Sequence, residues 1–208
     1  MPVFLKDDKS VLFVHIPKTG GSTIEAVFRS SGWRVQFRET RTSHPHLRPL
    51  RRVSPQHLHA PILRELFRVN RFDLVFLICR EPVSRFRSEY AMRRSSEDGD
   101  FDAVEAWWSQ MSKRYRNNPC VLDNHLRPQS EFLLPNAEVF RMESGLSAVV
   151  EDLNERFDLS LTTDLPHHQS SVRRTGRPSS TVPISPKLRD QLNSFYAEDF
   201  RRFGYHET

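Results

Sequence analysis

The chain has 208 residues, 37% of them hydrophobic and 27% charged, a composition that suits one compact domain and excludes disordered, collagen-like and coiled-coil chains. No apolar run approaches the roughly 20 residues of a membrane span, and two cysteines are too few for a disulfide scaffold and fit a reducing compartment. The net charge of +5 is concentrated in one place: residues 34–53 hold Arg34, Arg38, Arg41, Arg48, Arg51 and Arg52 against Glu39 alone. A local positive field of this kind attracts an anionic partner, whether nucleic acid, polysaccharide or nucleotide, without choosing among them.

Residues 10–15 (SVLFVH) are almost wholly apolar and read as a short strand buried on both faces, as in a parallel sheet. Residues 16–21 (IPKTGG) break it, and a helix over 22–29 then places Ile24, Val27 and Phe28 on one face. A second buried strand spans 72–79 (FDLVFLIC) and runs through Arg80-Glu81-Pro82 into a helix over 82–93, with Pro82 in the first turn, where a missing N–H costs nothing. The spacing of Phe101, Val104, Trp107, Met111 and Tyr115 predicts a helix over 101–115, followed by a short strand over 138–142. Leu146, Val149, Val150, Leu153 and Phe157 predict a further helix over 146–157. A last helix runs from a Ser185 cap and Pro186 to about Phe203, with Leu188, Leu192, Phe195 and Phe203 inward. Residues 165–182, rich in His, Ser, Arg, Gly and Pro, read as a long loop. Strands alternating with helices imply a single α/β domain over 1–208 around a central, mainly parallel sheet flanked by helices.

Two strand-to-helix junctions carry chemistry. In His15-Ile16-Pro17-Lys18-Thr19-Gly20-Gly21-Ser22-Thr23 the glycines permit a tight turn with inward N–H groups, the helix N-terminus adds partial positive charge, and Lys18 adds a full one. This is an anion cradle, but not a Walker A loop, because the lysine precedes the glycines. In Arg80-Glu81-Pro82-Val83-Ser84-Arg85-Phe86-Arg87-Ser88-Glu89-Tyr90, Arg80 lies at the carboxyl end of a strand, where open α/β sheets place ligands. Ser84 and Ser88 share a helical face, and Arg80 with Ser88 can hold one anion, the arginine as a fork and the serine as a neutral donor. A nucleotide with phosphates at both ends needs both loops.

The pair HIPKTGGST and REPVSRFRSEY resembles the two signatures of sulfotransferases that use 3′-phosphoadenosine-5′-phosphosulfate, most closely the carbohydrate and heparan sulfate 2-O branch with its bacterial relatives. The resemblance continues more weakly through 123–129 (DNHLRPQ) and the closing 196–205. It implies a P-loop-type three-layer domain in which Lys18, Thr19, Gly20, Gly21, Ser22 and Thr23 contact the 5′-phosphosulfate while Arg80 and Ser88 contact the 3′-phosphate. It also places a basic flap at Arg173, Arg174 and Gly176 over the adenosine and 3′-phosphate. The implied product is 3′,5′-adenosine bisphosphate.

Sulfuryl transfer to a hydroxyl needs a base, positive charge at the leaving phosphate and in-line alignment; Lys and backbone N–H groups suffice for the charge, so no metal is expected. Lys18 is the candidate for the leaving oxygen. Histidine is the usual base near neutrality. Of nine histidines, His57 and His59 in Ser54-Pro55-Gln56-His57-Leu58-His59 stand out, because alternation puts both on one side of an extended chain; relatives in the family carry a comparable His between the two phosphate loops. His57 is taken as the base, with His59 second and facing the acceptor. His15 reads as a buried histidine that shapes its loop. His125, with Arg127 and Gln129, lines the acceptor or cofactor cleft or else belongs to a structural network. Trp33 and Trp108 are candidates for stacking on sugars, and Cys79 reads as inert packing.

The arginine-rich segment precedes His57, so Arg48, Arg51 and Arg52 are expected beside the acceptor, which is then itself anionic, such as a uronic acid-containing or sulfated glycan. A nucleotide kinase or NTPase is the alternative, but it requires a Gly-Lys-Ser/Thr sequence and a strand ending in Asp for magnesium. A nucleic-acid-binding module is disfavoured, since the basic stretch contains Pro45 and Pro49 and shows no docking motif. The charged first ten residues lack the apolar core of a secretory signal, and a cytoplasmic enzyme without a membrane span is the expectation.

Overall fold

The computed structural model describes residues 2–39, 46, 48–94, 100–165 and 178–207. Strand β1 (Val3–Lys6) turns at Asp7, which has a positive φ, into β2 (Lys9–Val14). Helix α1 (Gly21–Ser30) follows, and β3 (Arg34–Gln36) returns to the edge beside β1. Then come α2 (Ala60–Leu66), β4 (Leu74–Cys79), α3 (Pro82–Arg93), α4 (Phe101–Asn117), β5 (Glu138–Arg141), α5 (Leu146–Phe157), α6 (Pro186–Phe195) and α7 (Ala197–Phe203). The five-stranded sheet has the order β3-β1-β2-β4-β5. β2, β4 and β5 pair in parallel, and β1 pairs antiparallel with both β2 and β3, so only β1 runs against the others.

All six residues of β4 are buried, as a central strand covered on both faces must be. Successive side chains alternate between two cores. Phe13, Phe76 and Ile78 pack with Ile24, Val27 and Phe28 of α1 and Val149, Val150 and Leu153 of α5. Leu12, Val14, Leu77 and Cys79 pack on the other face with Leu63 of α2, Phe132 and Phe203. A third cluster joins α3, α4, α6 and α7 beside the sheet. The expected α/β architecture is therefore present, a central sheet of mainly codirectional strands between helices.

The structure corrects several expectations. β1 and β3 were not foreseen, and the C-terminal helix breaks at Tyr196, where the chain restarts as α7. Trp108 is not a free stacking surface: it is buried between Phe86 and Phe195. Trp33 is buried as well and donates its indole N–H to the Leu159 carbonyl.

Candidate active site

Because β2 and β4 are parallel neighbours, with Val14 opposite Leu77, the junctions at their carboxyl ends lie side by side. Arg80 Nη1 donates to the Lys18 carbonyl at 3.3 Å, which ties one loop to the other. Lys18 itself has a positive φ, and its ammonium reaches across to the Met92 sulfur on α3 at 3.3 Å, a weak acceptor that an anionic oxygen would outcompete.

The two helix starts differ. α1 begins at Gly20 with a left-handed φ of 85° and no side-chain cap, the arrangement that leaves first-turn N–H groups for an anion. α3 is capped by its own Glu81, whose carboxylate accepts from the Val83 and Ser84 N–H groups, so those two donors are already taken. Thr19 is wholly buried and donates its hydroxyl to the Ile16 carbonyl at 2.9 Å. Ser22 is exposed and Thr23 is buried. Arg80 is held in place by Gln129, whose amide accepts from the Arg80 N–H at 2.9 Å and donates to the Arg80 carbonyl at 2.7 Å. Gln129 is anchored in turn through its own N–H to the buried Asp199.

His57 lies beside these loops in a short 3₁₀ turn (Pro55–His57). Its Nδ1 is 2.8 Å from Asp123 Oδ2, the same oxygen that accepts from the Ser54 hydroxyl at 2.6 Å, and Asn124 donates to the His57 carbonyl at 2.8 Å. Burial dominates its titration, and together with the neighbouring imidazoles of His125 and His15 it pulls the pKa down to about 3 against the opposing pull of Asp123. Asp123 is half-buried, which alone would raise its carboxyl, yet its bonds from His57 and Ser54 hold it well below the usual carboxylate range. An ionised Asp123 can only accept, so the His57 proton sits on Nδ1 and Nε2 carries the lone pair.

Two further histidines flank it. The His15 and His57 rings meet edge to face at 5.0 Å between centroids, and the His57 and His125 rings do the same at 5.0 Å. His15 Nδ1 is 2.8 Å from Glu25 of α1, which also accepts from Arg38; His125 Nδ1 is 2.6 Å from Glu89 of α3, which also accepts from Arg93. Burial alone would raise both glutamates, but the bonds and charges of their partners hold each at about 2. His57, Asp123 and His125 bring ligand-type atoms within 4.8 Å of one another, but the Asp123 carboxylate and both Nδ1 atoms are committed to hydrogen bonds.

The other predicted residues fall around this centre. His57 closes the 3₁₀ turn, Leu58 and His59 that follow are extended, and His59 is the residue immediately before α2. Burial, then Arg127, lowers the His59 pKa, so it faces a different environment from His57. Arg85 is no bystander on a solvated helix: it is buried and donates to the carbonyls of His125 and Arg127, clamping that segment onto α3. Cys79 is buried, and burial pushes its thiol up to about 11, as an inert packing residue requires. Arg174 and the flap around it lie outside the described residues, as does Arg41. A cavity of about 570 Å³ opens on the Asp123 side, lined by Arg51, Arg52, Arg114, Ser54 and Asp123 among others. Asp123, Glu25 and Glu89 were not foreseen as partners of the histidines. Only an imidazole needing a fixed tautomer hinted that some carboxylate must be near.

Comparison with known proteins supplies the class. The sequence pattern of the Sulfotransferase family matches residues 1–206. No curated protein matches the chain. The crystal structure of a sulfotransferase from Alicyclobacillus acidocaldarius is similar over 65% of this chain, with 19% identity and a TM-score of 0.38, and the chain spans 55% of the length of that one.

Proposed function

Taking as premise that this chain belongs to the sulfotransferase family, we propose that it moves a sulfuryl group from 3′-phosphoadenosine-5′-phosphosulfate to a hydroxyl of an anionic carbohydrate, with His57 as general base. The observation that carries this reading is the triad-like order Ser54–Asp123–His57 set beside two joined anion loops. Asp123 fixes the tautomer that leaves Nε2 able to take a proton, the logic by which an orienting carboxylate serves a catalytic imidazole.

The donor fits the residues present. The uncapped start of α1 and Lys18 suit the 5′ end, and Arg80 with Ser88 suits the 3′-phosphate. In the transfer, the acceptor hydroxyl gives its proton to His57 Nε2 as its oxygen forms a bond to sulfur. The bond from sulfur to the bridging phosphate oxygen breaks, and that oxygen keeps the electron pair. Lys18 and the N–H groups of the loop stabilise the charge that develops there, while adenosine bisphosphate leaves. The acceptor occupies the arginine-lined cavity next to Asp123, where Arg51, ion-paired with Glu39, has a buried Nε without a hydrogen-bond partner among the described residues and offers it to a carboxylate or sulfate.

The test is calorimetric titration with 3′,5′-adenosine bisphosphate without magnesium, on the wild type and on Arg80→Ala. Micromolar binding that weakens at least tenfold in the variant is expected, about 1.4 kcal/mol or more. Binding of ATP with magnesium in its place would overturn the reading in favour of a nucleotide kinase. For the acceptor, transfer of labelled sulfate to the uronate-containing polymer N-acetylheparosan is compared with transfer to neutral dextran. Arg51→Ala with Arg52→Ala should raise the KM for the charged polymer several-fold and leave the nucleotide affinity unchanged. Equal KM values would remove the anionic acceptor from the proposal.

A further inference from the structure

Glu25 and Glu89 belong to the two helices that leave the anion loops, α1 and α3, and each is buried with its carboxylate turned toward the base. Each captures Nδ1 of one histidine, Glu25 that of His15 and Glu89 that of His125. Each captured imidazole then meets the His57 ring edge to face, at 5.0 Å between ring centroids. Arg38 and Arg93 complete the outer ends of the row, so it reads Arg38–Glu25–His15, then His57 on Asp123 and Ser54, then His125–Glu89–Arg93. A general base needs only one orienting carboxylate, and the flanking pairs exceed that need.

We infer that His15 and His125 are positioning residues for the His57 base, each locked by a glutamate of a phosphate-loop helix so that the base is oriented, and disfavoured as an imidazolium, by the two imidazoles in contact with it. This rests on the reading of His57 as base. The physical argument is repulsion between like charges. Two imidazoles at this distance in a water-poor site disfavour each other's protonated forms, and His57 feels both. Burial is the larger cause that keeps Nε2 free of a proton; the outer rings add to it, and Asp123 opposes both while fixing the orientation. The same arrangement ties the base to both helices that leave the loops, so its position follows theirs.

The experiment uses the full chain labelled with ¹⁵N-histidine, whose ring nitrogen shifts report tautomer and protonation without requiring an acceptor. In the wild type, His57 should hold the Nδ1–H tautomer and stay neutral to pH 5. His125→Asn removes one neighbour and should move the His57 midpoint upward by about half a pH unit or more, with the affinity for 3′,5′-adenosine bisphosphate within twofold of wild type. His15→Asn should do the same and serves if the first variant does not fold. Glu89→Gln keeps an acceptor for the His125 N–H and should hold the His57 tautomer and titration closer to wild type than His125→Asn does. A His57 titration unchanged by removal of either neighbour would overturn the inference. So would a variant that loses tautomer, nucleotide affinity and melting temperature together, because that is a merely structural role. Failure of the base reading looks different: His57→Gln would then retain sulfuryl transfer whatever the titrations show.

Discussion

Gly21 shows how much one residue decides here. A Cβ built at that position would lie 2.2 Å from His15 Nε2 and 2.3 Å from its Cδ2, so the imidazole occupies the space a side chain would need. The opening turn of α1 can thus approach His15 only because residue 21 has no side chain. Gly21→Ala should drive His15 off Glu25, destabilise the protein by about 1–3 kcal/mol as overpacking does, and weaken adenosine bisphosphate binding. Thermal unfolding and calorimetry would check both, and a variant that melts and binds like wild type would refute it. The sequence marks Gly20-Gly21 as a turn for an anion, and Gly20 with its left-handed φ fits that reading. The second glycine serves a histidine six residues earlier, which no local pattern reveals. Likewise, His57 is legible from its polar loop, whereas its partner Asp123 lies 66 residues away, a pairing only the fold creates.

At the scale of elements, the strands and helices that build the site were legible because their signals are strong. β4 is an unbroken apolar run, and α5 ends where the apolar spacing predicts. β1 and β3 were missed for physical reasons. β1 is four residues long and turns through two aspartates rather than Asn-Gly, and β3 is a three-residue edge strand inside a basic stretch. The break at Tyr196 escaped because the apolar spacing continues across it, and Asp199, one turn later, points instead at the backbone of Gln129 and Ser130. That contact gives α7 a role at the far end of the sheet. Through Gln129 it fixes the backbone of Arg80, at the junction of β4 and α3. Gln129→Leu leaves the Arg80 N–H and carbonyl without their partner, and each unpaired buried group costs about 1–3 kcal/mol. Lower stability and at least threefold weaker adenosine bisphosphate binding are expected, read by melting and calorimetry, with intact affinity the result that would exclude this anchoring.

Across the whole molecule, the three carboxylate–imidazole pairs make stability depend on pH in a direction the pKa shifts fix. His57 has its pKa lowered from 6.5 to about 3 in the folded chain, chiefly by burial. The unfolded chain therefore takes up this proton first, so the contribution is fully present above about pH 6.5 and is lost as pH falls toward 3. Glu25 and Glu89 fall from 4.5 to about 2, and their contribution is present above 4.5 and lost as pH falls toward 2. The two windows overlap between about pH 4.5 and 3, so acid weakens the fold first through His57 alone and then through His57 together with the glutamates that hold its neighbours. Replacing His57 by Asn removes the first window and keeps the second. The variant should melt below wild type at pH 7.5, and the gap between them should shrink as pH is lowered to 5, because wild type alone is paying for a buried neutral imidazole. A gap that stays constant between pH 7.5 and 5 would mean that His57 titrates alike in the folded and unfolded chains. The flanking imidazoles would then have no electrostatic hold on it.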